Sequence, residues 1–539
     1  MRLNGTLILL AAFALHAPAH GAELGAVELA TSCNAEANAH VQRGLALLHH
    51  MMYEASQKSF AAAASTQPAC AMAYWGQAMT FVHPLWSDPP PAATFAKAAL
   101  LADTAMAEGK KTDRERAYVE AVQAYYQEGK SNKEAPNLRA FAGAWAAVHA
   151  KYPDDPDAAL FYALGQLATA DPSDKTFAQQ KRAGELIEKV FARFPNHPGA
   201  HHYIIHAYDY PALAGRALEV ARAYGRIAPE VPHALHMPTH IFTRIGAWED
   251  SIAWNKRAAK AALANPVAGA VSLHYLHALD YLAYSYLQRG EDDQAAQVGA
   301  TLRSLQSPVQ TEMASAYAFA AIPARLALER QNWAAAIALE PRSPQSFPWA
   351  SYPAVEAITH FARALGAARS RRGALARQSL ERLAELRDSA NASNAYWGTQ
   401  VEIQRLSAAA WLTLAEGQRS AALTTMRKAA DLESSTEKHP VTPGEVLPAR
   451  ELLGDMLLDT GDYAAAKKEY AATLERSPNR FNSVYGVARS AELAGDAAVA
   501  IQFYRQLLDL TASTRSATQP ARLRDAERYL KSHRNDTAG

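Results

Sequence analysis

Residues 198–231 read PGAHHYIIHAYDYPALAGRALEVARAYGRIAPEV, and residues 232–265 read PHALHMPTHIFTRIGAWEDSIAWNKRAAKAALAN. The two stretches are equal in length, and small or aromatic residues recur at equivalent positions of the two. The equivalent pairs include Ala217 with Ser251, Ala221 with Asn255, and Tyr224 with Ala258. A fixed period of about 34 residues indicates stacked supersecondary units, and the alanine-rich composition favours helix within them. The two stretches therefore predict two consecutive helical hairpins.

The same period returns at both ends of the chain. Near the C-terminus it is marked by Gly454, Gly461, Ala466, Tyr470 and Pro478, and one period later by Ala488, Gly495, Ala500 and Tyr504. Near the N-terminus it is marked by Gly44, Leu47, Ser56, Phe60, Ala63 and Pro68. This order of small, aromatic and proline positions resembles the tetratricopeptide repeat family. Small residues let two helices cross closely, and proline ends the second helix.

The resemblance covers about residues 37–510 and implies an all-α, right-handed α-solenoid of tetratricopeptide-like helical hairpins. It also implies a concave groove lined by the first helix of each hairpin, with a peptide or protein ligand in it as the partner. We divide the chain into a secretory signal peptide (1–21), N-terminal repeats with a central histidine cluster (22–305), irregular helical hairpins (306–437), and C-terminal repeats with a tail (438–539).

The bulk composition is that of a globular protein. The chain has 539 residues, of which 49% are hydrophobic and 20% charged, and its formal net charge is +1. Such an even balance gives no electrostatic basis for binding nucleic acid or an anionic membrane surface. Beyond the N-terminal region no stretch is long and apolar enough to predict an integral membrane segment.

The N-terminus has the layout of a secretory signal. Arg2 supplies the positive end, an apolar run extends from Leu7 to Leu15, and small residues follow at Ala17, Ala19 and Gly21. The run is too short to span a bilayer. We therefore predict a periplasmic or secreted protein.

The chain contains two cysteines, Cys33 and Cys70, which flank the first repeat. Export would permit a disulfide across that hairpin. Two isolated buried thiols are the alternative, and the spacing alone does not decide between them.

The two central units carry the same histidine pair in the same place. His202 and His206 lie in the first unit, and His236 and His240 occupy the equivalent positions of the second. Each pair is spaced i, i+4, so both imidazoles project from one face of a helix. The same stripe adds His233 in the second unit, and His277, Asp280 and Tyr284 in the third.

Imidazole is the commonest metal ligand in proteins, so this cluster predicts a metal site. The predicted ligands are His202, His206, His233, His236, His240, His277 and Asp280. We place Asp209, Tyr284 and His83 around them, as groove or supporting residues. His49 and His50 fall in the turn of the first hairpin, and we interpret them as surface residues.

A nitrogen-rich set without thiolates suits a transition metal rather than Ca²⁺ or Mg²⁺. Zinc is the first choice on frequency, with copper or iron as alternatives. Three histidines and an open position would support chemistry by a metal-bound hydroxide. The leading hypothesis is thus an exported metal-binding protein, with a metal-dependent enzyme as its extension. The alternative is a metal-free scaffold whose groove holds a peptide or protein against the histidines.

Overall fold

The computed structural model describes residues 23–86, 90–127, 134–512 and 519–533. The regular structure of these residues is an all-α solenoid in which successive helices form antiparallel hairpins. This confirms the predicted fold class. The predicted signal peptide lies outside the described residues. Within the described ranges, no helix combines the length and the apolar content that crossing a bilayer requires.

The helices follow one another through the chain, and most of the connections between them are short. The N-terminal ones are α1 (Ala35–His49), α2 (Tyr53–Thr66), α3 (Ala71–Met79), α4 (Ala92–Ala107), α5 (Asp113–Gln127), α6 (Glu134–Lys151), α7 (Pro156–Ala168) and α8 (Ala178–Arg193). The central ones are α9 (Pro198–Tyr208), α10 (Leu218–Ile227), α11 (Pro232–His236), α12 (Pro238–Ile245), α13 (Trp248–Ala264), α14 (Leu273–Gln288) and α15 (Asp292–Arg303).

The remaining helices are α16 (Met313–Leu328), α17 (Trp333–Ala338), α18 (Pro353–Arg369), α19 (Gly373–Ser393), α20 (Ala395–Ala415), α21 (Arg419–Ser434), α22 (Ala449–Asp459), α23 (Tyr463–Arg476), α24 (Phe481–Leu493), α25 (Ala497–Thr511) and α26 (Ala521–Ser532). Each helix packs on the next one. The first helices of neighbouring hairpins also contact each other, for example α7 with α9 and α22 with α24.

The packing between hairpins explains the small and aromatic positions of the repeat. The Tyr470 ring of α23 lies between Gly454 of α22 and Gly486 of α24. A Cβ atom at Gly486 would lie 2.5 Å from that ring, and one at Gly454 would lie 2.9 Å from it. The glycines therefore make room for an aromatic ring that fills the space between two hairpins.

The first helix of the second central unit is broken into α11 and α12. Pro238 has no backbone N–H and its ring crowds the preceding turn, which interrupts the helix. His240 N–H bonds instead to the carbonyl of Met237 at 3.1 Å, a tighter i→i+3 turn. The break leaves His236 and His240 on the same side of the chain. It marks the helix that carries the second histidine pair.

The end of α12 docks against the C-terminal hairpins. Gly246 has φ 68°, and a Cβ there would lie 2.3 Å from the carbonyl oxygen of Pro478. Trp248 donates its indole N–H to the carbonyl of Asn479 at 2.9 Å. The solenoid therefore curls back, and the loop between α23 and α24 contacts the central repeats.

Two large hydrophobic cores meet at the broken helix. The N-terminal core runs from Leu24 to Ile241 and includes Met237, whereas the second core runs from Leu235 to Val487. Neighbouring residues of α11 and α12 thus belong to different cores. The histidine pair of this helix lies at the junction between them.

Cys33 and Cys70 are joined in a disulfide. Cys33 precedes α1, and Cys70 is the residue before α3. The bond therefore links the beginning of the first hairpin to the beginning of the next one. The sequence left two possibilities open, a disulfide or two isolated buried thiols, and the structure has the disulfide.

We expect the double substitution Cys33→Ser/Cys70→Ser to destabilise the first hairpin. The bond closes a loop with a sequence separation of 37, and chain entropy gives such a loop a stabilisation of about 2–4 kcal/mol. The measurement is the thermal midpoint, together with amide hydrogen exchange of α1 and α2. Adding a reductant should reproduce the effect in the wild type and leave the variant unchanged. Equal midpoints for oxidised and reduced wild type would contradict this expectation.

Candidate metal centre

Six of the seven predicted ligands come together as two groups of three. The ligand nitrogens within each group lie within 4.8 Å of one another. We call them the first triad (His202, His206, His233) and the second triad (His236, His240, His277). The triads are built from the first helices of three successive units: α9, the α11–α12 pair and α14.

The paired histidines of each HxxxH motif point their Nε2 atoms at one another. Nε2 of His202 and Nε2 of His206 are 3.2 Å apart, and so are the Nε2 atoms of His236 and His240. The third ring of each triad completes the group. The ring centroids of His233 and His202 lie 4.9 Å apart, and those of His277 and His236 lie 4.2 Å apart.

In three of these rings Nδ1, the nitrogen that does not face the other ring of the HxxxH pair, donates a hydrogen bond to an acceptor. Nδ1 of His202 donates to the backbone carbonyl of His49 at 2.6 Å. Nδ1 of His240 donates to a carboxylate oxygen of Asp209 at 3.0 Å. Because a carbonyl and a carboxylate only accept, Nδ1 carries the hydrogen in both rings and Nε2 carries a lone pair.

The tautomer of His236 is set by Asn255 on α13. Nδ1 of His236 donates to Oδ1 of Asn255 at 2.8 Å. The amide of Asn255 donates in turn to the carbonyl of Ser251 at 2.9 Å, which fixes its orientation. Nε2 of His236 therefore also carries a lone pair, and it faces the lone pair of His240.

The third ring of each triad has no hydrogen-bond partner among the described residues. Both ring nitrogens of His233 and both of His277 are buried without a hydrogen-bond partner among these residues. The two residues are 1% and 2% exposed. A buried polar atom without a partner normally costs about 1–3 kcal/mol. Such atoms at the centre of a histidine cluster fit ligation of a cation better than they fit a packed core.

Burial lowers the pKa of all six imidazoles below the ordinary 6.5, and in five of them neighbouring imidazoles lower it further. For His206 the pKa falls to about 3. The six rings are therefore neutral near pH 7. Neutral imidazole is the form that binds a metal ion.

The Asp209 carboxylate contacts His240 of the second triad and two cationic side chains. It accepts from Nε of Arg244 at 2.8 Å and from Nζ of Lys438 at 3.0 Å, in addition to His240. Burial would raise the pKa of this carboxyl, but Lys438 and Arg244 outweigh burial and hold it well below its usual range. Burial lowers the pKa of Lys438 to about 8. The hydrogen bond from His240 to Asp209 thus orients the His240 ring.

Two aromatic residues outside the predicted set of site residues cover the triads. The Tyr281 ring lies 4.6 Å from that of His236 and 5.2 Å from that of His277. The Trp86 ring lies 6.4 Å from that of His233 and 6.0 Å from that of His277. Tyr281 is four residues after His277, so the i+4 step used for the histidine pairs would have found it.

The segment between α21 and α22 closes the same region. Tyr281 donates its hydroxyl to the carbonyl of Thr442 at 3.2 Å, and Lys438 from this segment reaches Asp209. The six triad histidines are 0–8% exposed. The predicted inward-facing stripe is therefore covered, and it does not line an open groove.

Three other predicted residues lie outside the triads. Oδ1 of Asp280 lies 3.3 Å from Nε of Arg325. The hydroxyl of Tyr284 lies 3.4 Å from a guanidinium nitrogen of Arg480. His83 stacks its ring on Tyr53, with centroids 4.1 Å apart. Asp280 and Tyr284 lie three and seven residues after His277, on the side of α14 that faces arginines.

The interpretation of His49 and His50 as surface residues was wrong, because both are fully buried. Nδ1 of His50 lies 2.8 Å from the hydroxyl of Tyr224, and burial lowers the pKa of His50 to about 3. The turn of the first hairpin faces α9, so these side chains enter the core. Their burial depends on a contact between hairpins far apart in sequence, which no local pattern reveals.

His49 belongs to a third group, with Asp157 and His197. Nε2 of His49 donates to Oδ1 of Asp157 at 2.8 Å, and Nε2 of His197 donates to the same oxygen at 3.2 Å. Nδ1 of His49 accepts from the hydroxyl of Tyr203 at 3.0 Å, and Nδ1 of His197 accepts from the Gly199 N–H at 3.2 Å. All four ring nitrogens have protein partners, so this group is a hydrogen-bond network that supports α9.

The geometry of the two triads fits ions with imidazole ligands. Two nitrogens bound to one tetrahedral ion at about 2.0–2.1 Å lie about 3.3 Å apart. The Nε2 atoms of each HxxxH pair are 3.2 Å apart. Each triad would supply three nitrogens and leave a fourth position for a water or a small ligand.

Comparison with known proteins gives no family for this chain: no family model matches it, and no curated protein matches it. Similar solved structures include the APC/C hetero-tetramer Cut9–Hcn1, with 11% identity, coverage of 91% of this chain and 95% of that chain, and a TM-score of 0.27. Yeast Tom70 has 11% identity, coverage of 93% and 97%, and a TM-score of 0.28.

We expect Asp157→Ala to destabilise the protein markedly. It leaves the buried N–H groups of His49 and His197 without an acceptor, at about 1–3 kcal/mol for each. Asp154→Ala is the matched control, because the Asp154 side chain is 87% exposed and pairs at the surface with Arg193. Surface pairs contribute about 0–1 kcal/mol. Urea unfolding followed by circular dichroism measures both, and equal midpoints would contradict the buried network.

Proposed function

We propose that this chain binds transition-metal ions through the two histidine triads. The observation that carries the proposal is the pair of facing lone pairs on His236 and His240. Their Nε2 atoms lie 3.2 Å apart while both Nδ1 hydrogens are given to other acceptors. Two lone pairs at this distance repel each other unless a cation lies between them. A shared proton would make a buried imidazolium, and burial lowers the pKa of both rings.

The donor set limits the class of metal. Six imidazoles without a thiolate suit zinc, copper, iron or nickel, whereas Ca²⁺ and Mg²⁺ prefer oxygen ligands. Zinc is the commonest ion in such sites, and copper and iron are its rivals. A triad with a free fourth position would also allow catalysis at the ion.

We further propose that the protein works in an oxidising compartment outside the cytoplasm. The N-terminal sequence has the layout of a secretory signal. The Cys33–Cys70 disulfide supports the same location, because such bonds persist mainly in exported proteins.

A peptide-binding scaffold is the alternative function, and one feature favours it. A cleft of about 890 Å³ opens between α15, α16 and the segment after α17. Leu302, Phe319 and Phe347 give it an apolar wall, with Arg303 and Glu340 as charged groups. The buried histidines are not available to such a ligand. This function would therefore be independent of the triads.

We expect purified wild-type protein, prepared without an affinity tag, to contain about one or two equivalents of Zn, Cu or Fe. The double substitution His202→Ala/His236→Ala removes one nitrogen from each triad and should abolish metal binding. Plasma mass spectrometry measures the metal content. His360→Ala is the control, because His360 lies on α18 and outside both triads. A wild type that lacks metal and takes up neither Zn nor Cu would sink the proposal.

We expect Asn255→Leu to weaken metal binding by about 10–100-fold without removing any ligand. The substitution deprives Nδ1 of His236 of its acceptor, and residues that orient a ligand typically have effects of this size. The measurement is competition with a chromophoric chelator. Asn265→Leu, at the exposed end of α13, is the matched control. Unchanged affinity in Asn255→Leu would show that His236 does not depend on this bond.

A further inference from the structure

The two triads are in direct contact with each other. The ring centroids of His206 and His240 lie 5.9 Å apart, and those of His233 and His236 lie 6.2 Å apart. Each of these pairs joins one triad to the other. Two ions held by the triads would therefore be neighbours. Protein sites with two cooperating ions have a separation of about 3.5–4 Å.

The triads are alike in composition and contain no anionic ligand. Two buried carboxylates, each three residues from a triad histidine in sequence, are already paired with cations. Asp209 pairs with Arg244 and Lys438, and Asp280 pairs with Arg325. Neither carboxylate is thus left to offset the charge of a bound ion.

This charge balance disfavours two divalent ions. The cost of burying an ion rises with the square of its charge, so a dication costs about four times as much as a monocation. Two dications would add four positive charges to neutral imidazoles, whereas two monovalent ions add two. Among the metals that imidazole suits, copper is the one with a stable monovalent state.

We propose that the two triads hold a pair of cuprous ions that bind one dioxygen molecule between them. This inference rests on the proposed metal-binding function and deepens it. In the binding step each Cu(I) gives up one electron and dioxygen gains two, so that the O=O double bond becomes an O–O single bond. No proton is transferred. The oxidised pair has gained two positive charges and the bound dianion two negative ones, so the net charge of the pocket stays at +2.

The covering of the triads fits a ligand of this size. Trp86 lies against both triads, and Tyr281 packs on the rings of the second. The imidazoles are 0–8% exposed. A diatomic molecule can pass such a cover through small side-chain motions, whereas a peptide cannot reach the ions.

The test is anaerobic titration of metal-free full-length protein with Cu(I), followed by exposure to dioxygen. We expect two copper ions per chain, uptake of one dioxygen for each pair, and no cupric signal in electron paramagnetic resonance, because the two spins couple. His206→Gln and His277→Gln each weaken one triad with little change in volume. Each should retain one copper, lose dioxygen uptake, and show a cupric signal after chemical oxidation. His360→Gln should behave as the wild type.

The outcomes separate this inference from the proposed function. One copper per chain, two copper ions that give a full cupric signal after oxidation, or two zinc ions that copper cannot replace would overturn the dicopper centre and leave metal binding intact. A wild type that binds no metal would overturn both. Circular dichroism of the glutamine variants confirms that a lost copper ion does not reflect a lost fold.

Discussion

Three buried imidazoles of the triads each give their one hydrogen to a fixed acceptor, and these bonds organise the centre of the molecule. His202 gives its Nδ1 hydrogen to the backbone of His49, His236 to Asn255, and His240 to Asp209. The acceptors come from the end of α1, from α13 and from the end of α9. Three separate elements must therefore be in place before the lone pairs converge. The centre is a product of the folded solenoid, in the way that preorganised ligand sites generally are.

The helices and loops around the triads also keep these acceptors in place. The broken helix α11–α12 lies where two hydrophobic cores meet, and Pro238 interrupts the helix there. The segment between α21 and α22 returns across this junction, and Lys438 neutralises Asp209 there. Asp209 would otherwise be a buried anion beside a single arginine and a neutral histidine. The curl of the solenoid brings a residue from a distant part of the chain to complete the pairing.

Much of the fold could be predicted from the sequence, because the repeat is a local property. Gly454, Tyr470 and Gly486 illustrate this locality. Where helices cross, the two glycines leave the space that the Tyr470 ring fills, and positions of this kind recur with the period of the repeat. The histidine stripe could be predicted for a similar reason, since an i, i+4 spacing places two rings on one helix face. Tyr281 shares that spacing with His277, and Tyr284, which we predicted instead, turns toward Arg480.

The sequence by itself determined the helical hairpins and the grouping of histidines on consecutive first helices, because both follow from periodicity along the chain. Only the tertiary structure decided that the stripe is covered rather than open, that His49 and His50 are buried, and that Trp86 and Lys438 lie at the triads. It also decided which ring nitrogens carry hydrogens. Each of these depends on segments far apart in sequence, and no local pattern encodes the path by which a solenoid curls back on itself.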